Sequence, residues 1–356
     1  TSGEELPLVF NYHGYTSTAL QQAWLSEMNF VADTGNFIVV YPQGKIVEVT
    51  TQLPPLFPPA GPGWNVEEIL ESENDDLGFF DAMVEAIDSD FGVDSSRIYS
   101  TGFSNGGLMS GFLACKRPGV VAAVAHVSGI GNCARDSVVP TLIIHGTTDP
   151  ALLYQGSTAS TSPHVFSAFE SLAAANGCGT AIDSADVADL DPDDNTSTKV
   201  FTVPGCEPEA EVTHYRINDG DHWWPDGPGI PPLFTGLAGS KLSRDFNGSR
   251  TIWEFFLRHR KAMTTNLRTP LEPFGYGLYP NPSAGRVTLK LELPQTAPVR
   301  AVLLNSLGQP VANLVAETLP AGSHTFTLAG DQLPAGLYQC RIAVSDHIKT
   351  LSVILQ

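Results

Sequence analysis

The sequence predicts an α/β domain, built on a mainly parallel sheet with helices on both faces, followed by a small Ig-like all-β sandwich. Over the first 260 residues, short apolar runs alternate with amphipathic stretches of helical period. This alternation is typical of a parallel sheet that helices cover on both sides. After Arg260 the helical spacing ends, and short alternating segments follow between Pro, Gly and Asn turns. A chain of 356 residues is long enough for both parts to bury a core.

Seven apolar runs are predicted as strands of the sheet: residues 7–14, 37–44, 97–104, 120–129, 141–149, 198–203 and 212–217. Five stretches with apolar residues at helical spacing are predicted as helices: 17–35, 75–92, 105–115, 164–177 and 249–260. The first helix has Ser17 or Thr18 as its cap and Gly35 as its stop, and Ser249 begins the last helix.

Residues 45–64 break this alternation. The segment KIVEVTTQLPPLFPPAGPGW is Pro-rich and lies just past the end of a predicted strand. Because loops at the carboxyl ends of parallel strands build the ligand site of an α/β protein, one interpretation is a wall or lid of the pocket. A long surface loop is the alternative, and the sequence does not choose between them.

The tail is predicted as a linker and a second domain. Residues 263–278 have no regular period and are predicted as the linker, between a first domain at 1–262 and a β-sandwich at 279–356. Five short alternating segments are predicted as strands of the sandwich: 286–293, 299–308, 324–330, 336–344 and 348–356.

The composition argues against two classes of partner. The formal net charge is −19, whereas nucleic-acid binding needs a basic face and anionic lipid would repel such a chain. No apolar run reaches the length of a membrane span. We therefore expect no nucleic-acid partner and no membrane span.

The cysteines indicate an oxidising compartment. Four of the five are predicted to form two disulfides, and order alone leaves three pairings open: Cys115, Cys133, Cys178 and Cys206. Cys340 is left over, and five buried free thiols are the alternative. No cysteine spacing matches a zinc site, so no metal is expected.

The stretch TGFSNGG, residues 101–107, carries the pattern G-x-S-x-G between a predicted strand and a predicted helix. Gly102 and Gly106 permit a tight turn in which Ser104 stands clear of the sheet, with the N-terminus of the following helix aimed at it. A chance Gly-rich turn is the alternative, but the strand–turn–helix context favours a nucleophile.

A serine nucleophile needs a histidine base and an orienting carboxylate. Ser104, Asp149 and His222 follow each other in the order typical of α/β-hydrolases, each just past a predicted strand end. Weaker candidates for the base lie on predicted strands or at a helix start: His126, His145, His164 and His214. Weaker candidates for the acid suit helix capping or lie too close to His222 in sequence: Asp75, Asp76, Asp219, Asp221 and Asp226.

Acyl transfer also needs hydrogen-bond donors for the developing oxyanion. The backbone N–H of Asn105, the residue after the nucleophile, is one predicted donor. The loop NYHGYTS (11–17) is predicted to supply the other from Tyr15 or Thr16, because His13-Gly14 turns the chain inward. A plain strand-to-helix turn is the alternative.

Several motifs occur in an order that resembles one known group: YHG (12–14), FIVVYPQG (37–44), GWN (63–65), DDLGF (75–79), RIYSTGFSNGGLMS (97–110), HGTTD (145–149) and HxWP (222–225). Over about residues 7–260 the chain resembles the secreted esterases of the polyhydroxybutyrate depolymerase and feruloyl esterase type, which are α/β-hydrolases. The resemblance places that group's nucleophile, acid and base on Ser104, Asp149 and His222. It also implies the disulfide pairs Cys115–Cys133 and Cys178–Cys206.

The chain departs from that group in two places. Members usually have one or two strands before the first strand seen here, which implies that upstream residues are missing or disordered. Asp221 stands before His222, where the group usually has glycine. This second departure leaves the pH optimum open but not the assignment of the base.

Residues 279–356 resemble the C-terminal sorting domain of the type IX secretion system, on the motifs YPNP (279–282), LLNSLGQPVANL (303–314) and LPAGLYQCRI (333–342). The resemblance implies export across the outer membrane of a Gram-negative bacterium, to the medium or the cell surface. A carbohydrate-binding or spacer sandwich is the alternative. The tail has few aromatic residues that suit stacking on sugar.

Together these features predict a secreted serine carboxylic-ester hydrolase that works through an acyl-enzyme on feruloyl, acetyl, other aryl or short-chain esters. Trp64, Trp223 and Trp224 are predicted to line an aromatic substrate cleft. No metal or organic cofactor is expected, and the expected partners of this monomeric chain are its ester substrate and the secretion machinery. A polyester depolymerase is the first alternative, followed by a serine peptidase and a non-catalytic surface protein.

Overall fold

Two compact units make up the chain, Thr1–Met263 and Thr264–Gln356. The computed structural model describes residues 5–49, 58–66, 70–71, 74–131, 137–156, 163–228, 241–261, 274–283, 285–305, 309–329, 333–345 and 347–356. Within these ranges no helix has both the length and the apolar character needed to cross a membrane.

The first unit contains eleven described strands. In chain order they are β1 (Leu6–Tyr12), β2 (Ile38–Val40), β3 (Ile46–Val49), β4 (Ala60–Pro62), β5 (Leu70–Glu71), β6 (Val93–Phe103), β7 (Ala123–Val127), β8 (Thr141–Gly146), β9 (Asp183–Asp186), β10 (Ser197–Thr202) and β11 (Val212–Asn218). The described helices are α1 (Ala19–Ser26), α2 (Met28–Gly35), α3 (Asp76–Phe91), α4 (Asn105–Lys116), α5 (Val165–Ala175) and α6 (Gly248–Leu257).

Eight of these strands form one sheet in the order β2-β1-β6-β7-β8-β11-β10-β9. The strands from β2 to β11 in that order are parallel to their neighbours, while β10 and β9 form an antiparallel edge. The predicted α/β-hydrolase sheet is therefore confirmed. Since parallel strands end at one edge, the residues that follow β6, β8 and β11 lie along the same edge.

Both faces of the sheet are buried, which explains why its strands are apolar throughout rather than alternating. In β1, Leu8 and Phe10 enter the core on one face, and Val9 enters the core on the other. Helix α4 contributes Met109 to the first of these cores, and α6 contributes Trp253 to the second. Helices on opposite faces thus hold the strand that leads into the N-terminal loop of the candidate site.

The prediction of a single helix at 17–35 is wrong. Glu27 has a left-handed φ of 49°, which ends α1 and starts α2. Thr18 is the cap of α1, since its side chain accepts a hydrogen bond from the Gln21 N–H. The last helix begins at Gly248, capped by Asn247 rather than started by Ser249.

The second unit is a β-sandwich, as predicted. Its strands are β12 (Gly275–Tyr279), β13 (Arg286–Leu293), β14 (Ala297–Leu304), β15 (Pro310–Leu319), β16 (Gly322–Ala329), β17 (Gly336–Val344) and β18 (His347–Leu355). They form the antiparallel sheets β12-β13-β16 and β15-β14-β17-β18. The sequence missed β12 and β15. The predicted linker runs too far, because Gly275–Tyr279 already pair with β13.

One predicted disulfide is present between Cys178 and Cys206. Cys115 is also disulfide-bonded, and its predicted partner Cys133 lies outside the described residues. Cys340 is a free, buried thiol in the core of the second unit.

A cluster of charged side chains joins the end of α6 to the start of β11. Glu211 Oε1 accepts hydrogen bonds from Arg258 Nη2 at 2.8 Å and from Thr213 Oγ1 at 3.0 Å, and His259 Nε2 lies 3.1 Å from Glu211 Oε2. Burial opposes ionisation, but His259 and Arg258 outweigh it and lower the pKa of Glu211 to about 2. The carboxylate therefore favours the folded state wherever it is ionised.

Replacing Glu211 with Gln should lower the free energy of unfolding by about 1–2 kcal/mol at pH 7. Because the folded pKa of Glu211 lies below its ordinary value of 4.5, its contribution is complete above that value and is lost as the pH falls toward 2. Urea unfolding of both proteins between pH 7 and pH 3 measures this. Glu209→Gln, the same charge change at an exposed residue of the same segment, is the control. A gap between Glu211→Gln and wild type that does not narrow in acid would contradict the prediction.

Candidate active site

The chain turns sharply at Ser104, between β6 and α4. Ser104 has φ 56° and ψ −120°, an unusual conformation for a residue with a side chain. A Cβ atom on Gly106 would lie 2.1 Å from the Tyr12 carbonyl oxygen, and one on Gly102 would lie 2.5 Å from the backbone of Gly106. The turn therefore requires glycine at both flanking positions, as the G-x-S-x-G pattern predicts.

Backbone contacts on three sides hold Ser104 in this position. Its N–H donates to the Val127 carbonyl of β7 at 2.9 Å, and its own carbonyl accepts from Leu108 in α4 at 3.1 Å. A Cβ on Gly129 would come within 2.0 Å of the Ser104 carbonyl. The sequence did not single out Gly129, although the signal is present as a glycine two residues after the apolar run of β7.

Asp149 lies three residues past the end of β8 and is buried. Its Oδ1 accepts the backbone N–H groups of Ala151 and Leu152, each at 2.8 Å, so the carboxylate has one orientation. Burial favours the neutral acid, but the charge and hydrogen bond of His222 outweigh burial, and the pKa of Asp149 is lowered. Asp149 is therefore a buried anion at neutral pH.

His222 lies four residues past the end of β11 and contacts both predicted partners' segments. Its Nδ1 donates to Asp149 Oδ2 at 2.6 Å, and its ring packs on Phe103, directly before Ser104, with centroids 4.7 Å apart. The parallel pairing of β6, β7, β8 and β11 brings these strand ends together. The structure thus brings the loops of Ser104, Asp149 and His222 to one edge of the sheet, and their roles as a triad stay a prediction.

Asp221, the residue directly before His222, accepts hydrogen bonds from two other segments of the chain. Asp221 accepts hydrogen bonds from the Thr148 hydroxyl at 2.8 Å and from the Lys241 backbone N–H at 3.0 Å. The first contact connects the loop of His222 to the loop of Asp149, and the second connects it to the chain at Lys241. Asp221 thus helps to hold the His222 loop in place.

A second buried histidine lies beside the triad acid. His145 Nε2 is 3.8 Å from Asp149 Oδ2, and its Nδ1 lies 3.1 Å from the Gly146 carbonyl. Burial lowers the pKa of His145 despite the nearby carboxylate, which keeps this ring neutral at neutral pH. The sequence made His145 a weaker candidate for the base, and the structure places it buried beside the Asp149 carboxylate.

The loop predicted to hold the oxyanion lies directly beside Ser104. A Cβ on Gly14 would be 3.3 Å from the Ser104 Cβ. His13 Nδ1 donates to the Gly14 carbonyl at 2.8 Å, while His13 Nε2 accepts the Gly44 N–H at 2.9 Å. Because the peptide is planar and trans, the N–H of Tyr15 points away from the Gly14 carbonyl that His13 binds.

The two predicted donors from this loop differ. The N–H of Thr16 donates to the Pro62 carbonyl at 2.7 Å, so it is directed at the chain and not at a substrate. This makes Thr16 a poor donor, and Tyr15 is the one we retain. Asn105 is the first residue of α4, where backbone N–H groups have no acceptor within the helix.

Two of the three predicted substrate tryptophans are core residues. Trp64 is 0% exposed and donates its indole N–H to the His13 carbonyl at 2.8 Å. Trp224 is 1% exposed and donates to Ser249 Oγ at 3.1 Å. Each indole N–H has an acceptor within the protein, so burying the ring leaves no polar atom without a hydrogen bond. Trp223 is also buried, but its indole N–H has no hydrogen-bond partner among the described residues, and its role stays a prediction.

The Pro-rich segment contributes β3 and β4 to a small antiparallel sheet, β4-β3-β5, beside the candidate site. Tyr15 Oη donates to the Pro58 carbonyl at 3.0 Å, and a Cβ on Gly63 would lie 2.9 Å from Asn105 Oδ1. The part of the segment at 58–64 thus lies against Tyr15 and Asn105, and its role as a wall of the pocket stays a prediction. Residues 50–57, which the lid interpretation also includes, lie outside the described residues.

Within the described ranges, no group of three or more His, Cys, Asp or Glu side chains has an arrangement that could hold a metal ion. At the sheet edge described above, the structure places the Ser104 hydroxyl, the His222 imidazole, the Asp149 carboxylate and the backbone N–H groups at the start of α4. This set suits acyl transfer.

Comparison with family models matches both parts of the chain. Residues 1–157 match the family Esterase PHB depolymerase, and residues 277–356 match the Secretion system C-terminal sorting domain. Both predicted resemblances are confirmed. The first match includes Ser104 and Asp149, and His222 lies beyond it.

Known relatives share part of their length with the chain. Feruloyl esterase B of Piromyces equi is 28% identical over 243 residues, which cover 64% of this chain and 41% of that protein. Probable feruloyl esterase C of Aspergillus terreus is 33% identical over 186 residues, covering 51% of this chain and 57% of that one. This chain thus spans less than two thirds of either relative. Among solved structures, Acetyl xylan esterase from Aspergillus awamori has a TM-score of 0.42 at 18% identity, covering 65% of this chain and 88% of that chain.

Gly106→Ala should destabilise the protein by about 3 kcal/mol, because the added methyl group would press on the Tyr12 carbonyl and neither backbone segment can move freely. Thermal or urea unfolding measures the effect. Gly119→Ala is the control, since a Cβ there meets no atom within 4 Å, and it should change stability by about 0.5 kcal/mol or less. Equal stability of the two variants would contradict the tight turn.

Proposed function

We propose that this chain, whose first 157 residues match the Esterase PHB depolymerase family, is a serine carboxylic-ester hydrolase with Ser104, His222 and Asp149 as its triad. One observation carries the proposal. The 2.6 Å bond from His222 Nδ1 to a buried, oriented Asp149 lies at the sheet edge where Ser104 sits in a strained turn. A structural serine needs neither the strain nor the pair.

The hydrogen bond to Asp149 selects the tautomer of the base. With its proton on Nδ1, His222 has an unprotonated Nε2 that takes the proton from Ser104 Oγ as this oxygen attacks the ester carbonyl carbon. The imidazolium is then stabilised by the Asp149 carboxylate. It gives the proton to the leaving alcohol, and the acyl group remains on Ser104.

The second half of the cycle reverses these roles. Water attacks the acyl carbon and gives its proton to His222, and the return of that proton to Ser104 Oγ releases the carboxylic acid. In both halves the carbonyl oxygen becomes an anion. The backbone N–H groups of Asn105 and Tyr15 are the donors we propose for it, in a position set by α4 and by the loop after β1.

The substrate class we propose is a feruloyl, acetyl or other short aryl ester. The support is that the relatives described above, at 28% and 33% identity, are feruloyl esterases or probable feruloyl esterases. A polyester is the second candidate, because the matched family is named after depolymerases of polyhydroxybutyrate. Kinetics on methyl ferulate, acetylated xylan and polyhydroxybutyrate separate the two, and higher kcat/KM on the polyester would overturn the first.

We propose that the protein is exported to the medium or the cell surface of a Gram-negative bacterium. The sorting-domain match at 277–356 supports export, and the Cys178–Cys206 disulfide fits an oxidising compartment. Type IX secretion is the route that the motifs of the tail resemble. A chain lacking residues 277–356 should then stay with the cells when fractions are assayed for esterase.

Ser104→Ala should reduce kcat on p-nitrophenyl acetate by about 10⁴-fold or more, since it removes the attacking oxygen. Asp149→Asn should cost about 10⁴-fold, because the amide stabilises the wrong tautomer of His222. Both variants should unfold cooperatively near the wild-type midpoint. Full turnover by folded Ser104→Ala would refute the proposal.

A fluorophosphonate probe should label the wild-type protein once, at Ser104, and should leave Ser104→Ala unlabelled, as mass spectrometry of the peptide containing residues 101–107 would measure. Failure to label the folded wild-type chain would favour a non-catalytic surface protein. Faster cleavage of aminoacyl-nitroanilides than of esters would favour a peptidase of the same fold.

A further inference from the structure

We propose that Trp64, together with the side chain of Asn105, is a positioning residue that holds the two halves of the oxyanion hole at a fixed separation. The inference rests on the serine-hydrolase function proposed above. It reassigns Trp64, which the sequence placed in the substrate cleft. The two halves are the loop after β1, with Tyr15, and the first turn of α4, with the Asn105 backbone N–H.

Trp64 is bonded first to the helix half. Its backbone N–H donates to Asn105 Oδ1 at 2.7 Å, and its carbonyl accepts from Asn105 Nδ2 at 3.2 Å. The amide side chain thus pairs with a peptide group as a neighbouring strand would. Asn105 is 4% exposed, and buried hydrogen bonds of this kind are costly to leave unmade.

Trp64 is bonded also to the loop half. Its indole Nε1 donates to the His13 carbonyl at 2.8 Å, one residue before Gly14. Its ring packs edge-on against Tyr12 and tilted against His13, with centroids 4.9 Å apart in both pairs. The ring is fully buried. It therefore fixes the distance between the loop after β1 and the Trp64 backbone, to which the Asn105 side chain is hydrogen-bonded.

The segment around Trp64 is itself anchored. The Pro62 carbonyl accepts the Thr16 N–H at 2.7 Å, and the Gly63 N–H donates to the Lys45 carbonyl at 2.9 Å. On the loop side, the His13 ring links Gly14 and Gly44. Burial lowers the pKa of His13, so this ring stays neutral and its two nitrogens keep one donor and one acceptor role. The contacts of Trp64 therefore connect two ordered parts of the chain.

This arrangement has a catalytic consequence because no covalent bond sets the distance between the two donors. An oxyanion hole stabilises the transition state only when both donors lie about 2.7–3.1 Å from the anionic oxygen. The ground-state ester makes weaker use of the same donors. Loosening the bridge should therefore lower kcat more than it raises KM.

The test uses two variants of the full chain, assayed on p-nitrophenyl acetate. Trp64→Phe keeps an aromatic ring and removes the hydrogen bond to the His13 carbonyl. Asn105→Ala keeps the backbone N–H of residue 105 and removes the two hydrogen bonds between its side chain and the Trp64 backbone. Each should lower kcat by about 10–100-fold, less than the loss of a whole donor costs, with KM within about threefold. The affinity for an aryl trifluoromethyl ketone, which forms an oxyanion on Ser104, should fall by a similar factor.

Tyr99→Phe is the matched control. Tyr99 is a buried aromatic residue that donates a hydrogen bond to a backbone carbonyl, that of His259, at 2.7 Å. It packs on Trp253 and Phe256, in the core on the opposite face of the sheet from Trp64. It should lose stability like Trp64→Phe and keep wild-type kcat and ketone affinity. Urea unfolding and fluorophosphonate labelling establish that each variant is folded with an accessible Ser104.

Wild-type kcat and ketone affinity in folded Trp64→Phe and Asn105→Ala would overturn the positioning role alone. An equal loss of kcat in Tyr99→Phe would also overturn it, because the losses would then follow from lower stability of the fold. If Trp64→Phe does not fold, Asn105→Ala decides the question, since it removes no ring from the core. A wild-type chain that neither hydrolyses esters nor takes the fluorophosphonate would instead refute the proposed function, and this inference with it.

Discussion

The positive φ at Ser104 determines how closely the neighbouring segments of the candidate site must approach this residue. To place one side chain clear of the sheet, β6 and α4 meet at an angle that leaves no room for a Cβ on Gly102 or Gly106. The same closeness brings the loop of Gly14 to within van der Waals distance of the serine. Backbone N–H groups can then be directed at one point, which no arrangement of longer side chains would hold as rigidly.

Burial decides which groups at this edge carry charge. His13 and His145 are both buried, and desolvation lowers the pKa of each. Asp149 is buried to the same degree, yet its pKa is lowered because His222 and backbone N–H groups bind its oxygens. In a chain with a net charge of −19, the site thus contains the oriented Asp149 anion beside the neutral rings of His13 and His145. This suits a base that must become positive only during the reaction.

The sequence predicted the strands, the turn at Ser104 and the order of acid and base, because each leaves a local signal in apolar runs and glycines. It predicted that Trp64 and Trp224 line the substrate cleft, whereas both are core residues. The sequence does not distinguish a tryptophan whose ring faces a substrate from one whose ring lies in a core. It also missed the break at Glu27, where a residue with no local signal adopts a left-handed conformation. The first sandwich strand was taken for linker because Gly275–Tyr279 become a strand only by pairing with β13.

By itself, the sequence determined that Ser104 stands between a strand and a helix, and that Asp149 and His222 follow later strand ends, since these are matters of period and spacing. Only the tertiary structure decided that His222 meets Asp149 at hydrogen-bonding distance, that Thr16 turns its N–H toward Pro62, and that Trp64 bridges two segments. The reason is that hydrogen bonds between residues dozens of positions apart depend on strand register and crossover packing. Neither leaves a mark in any short stretch of the chain.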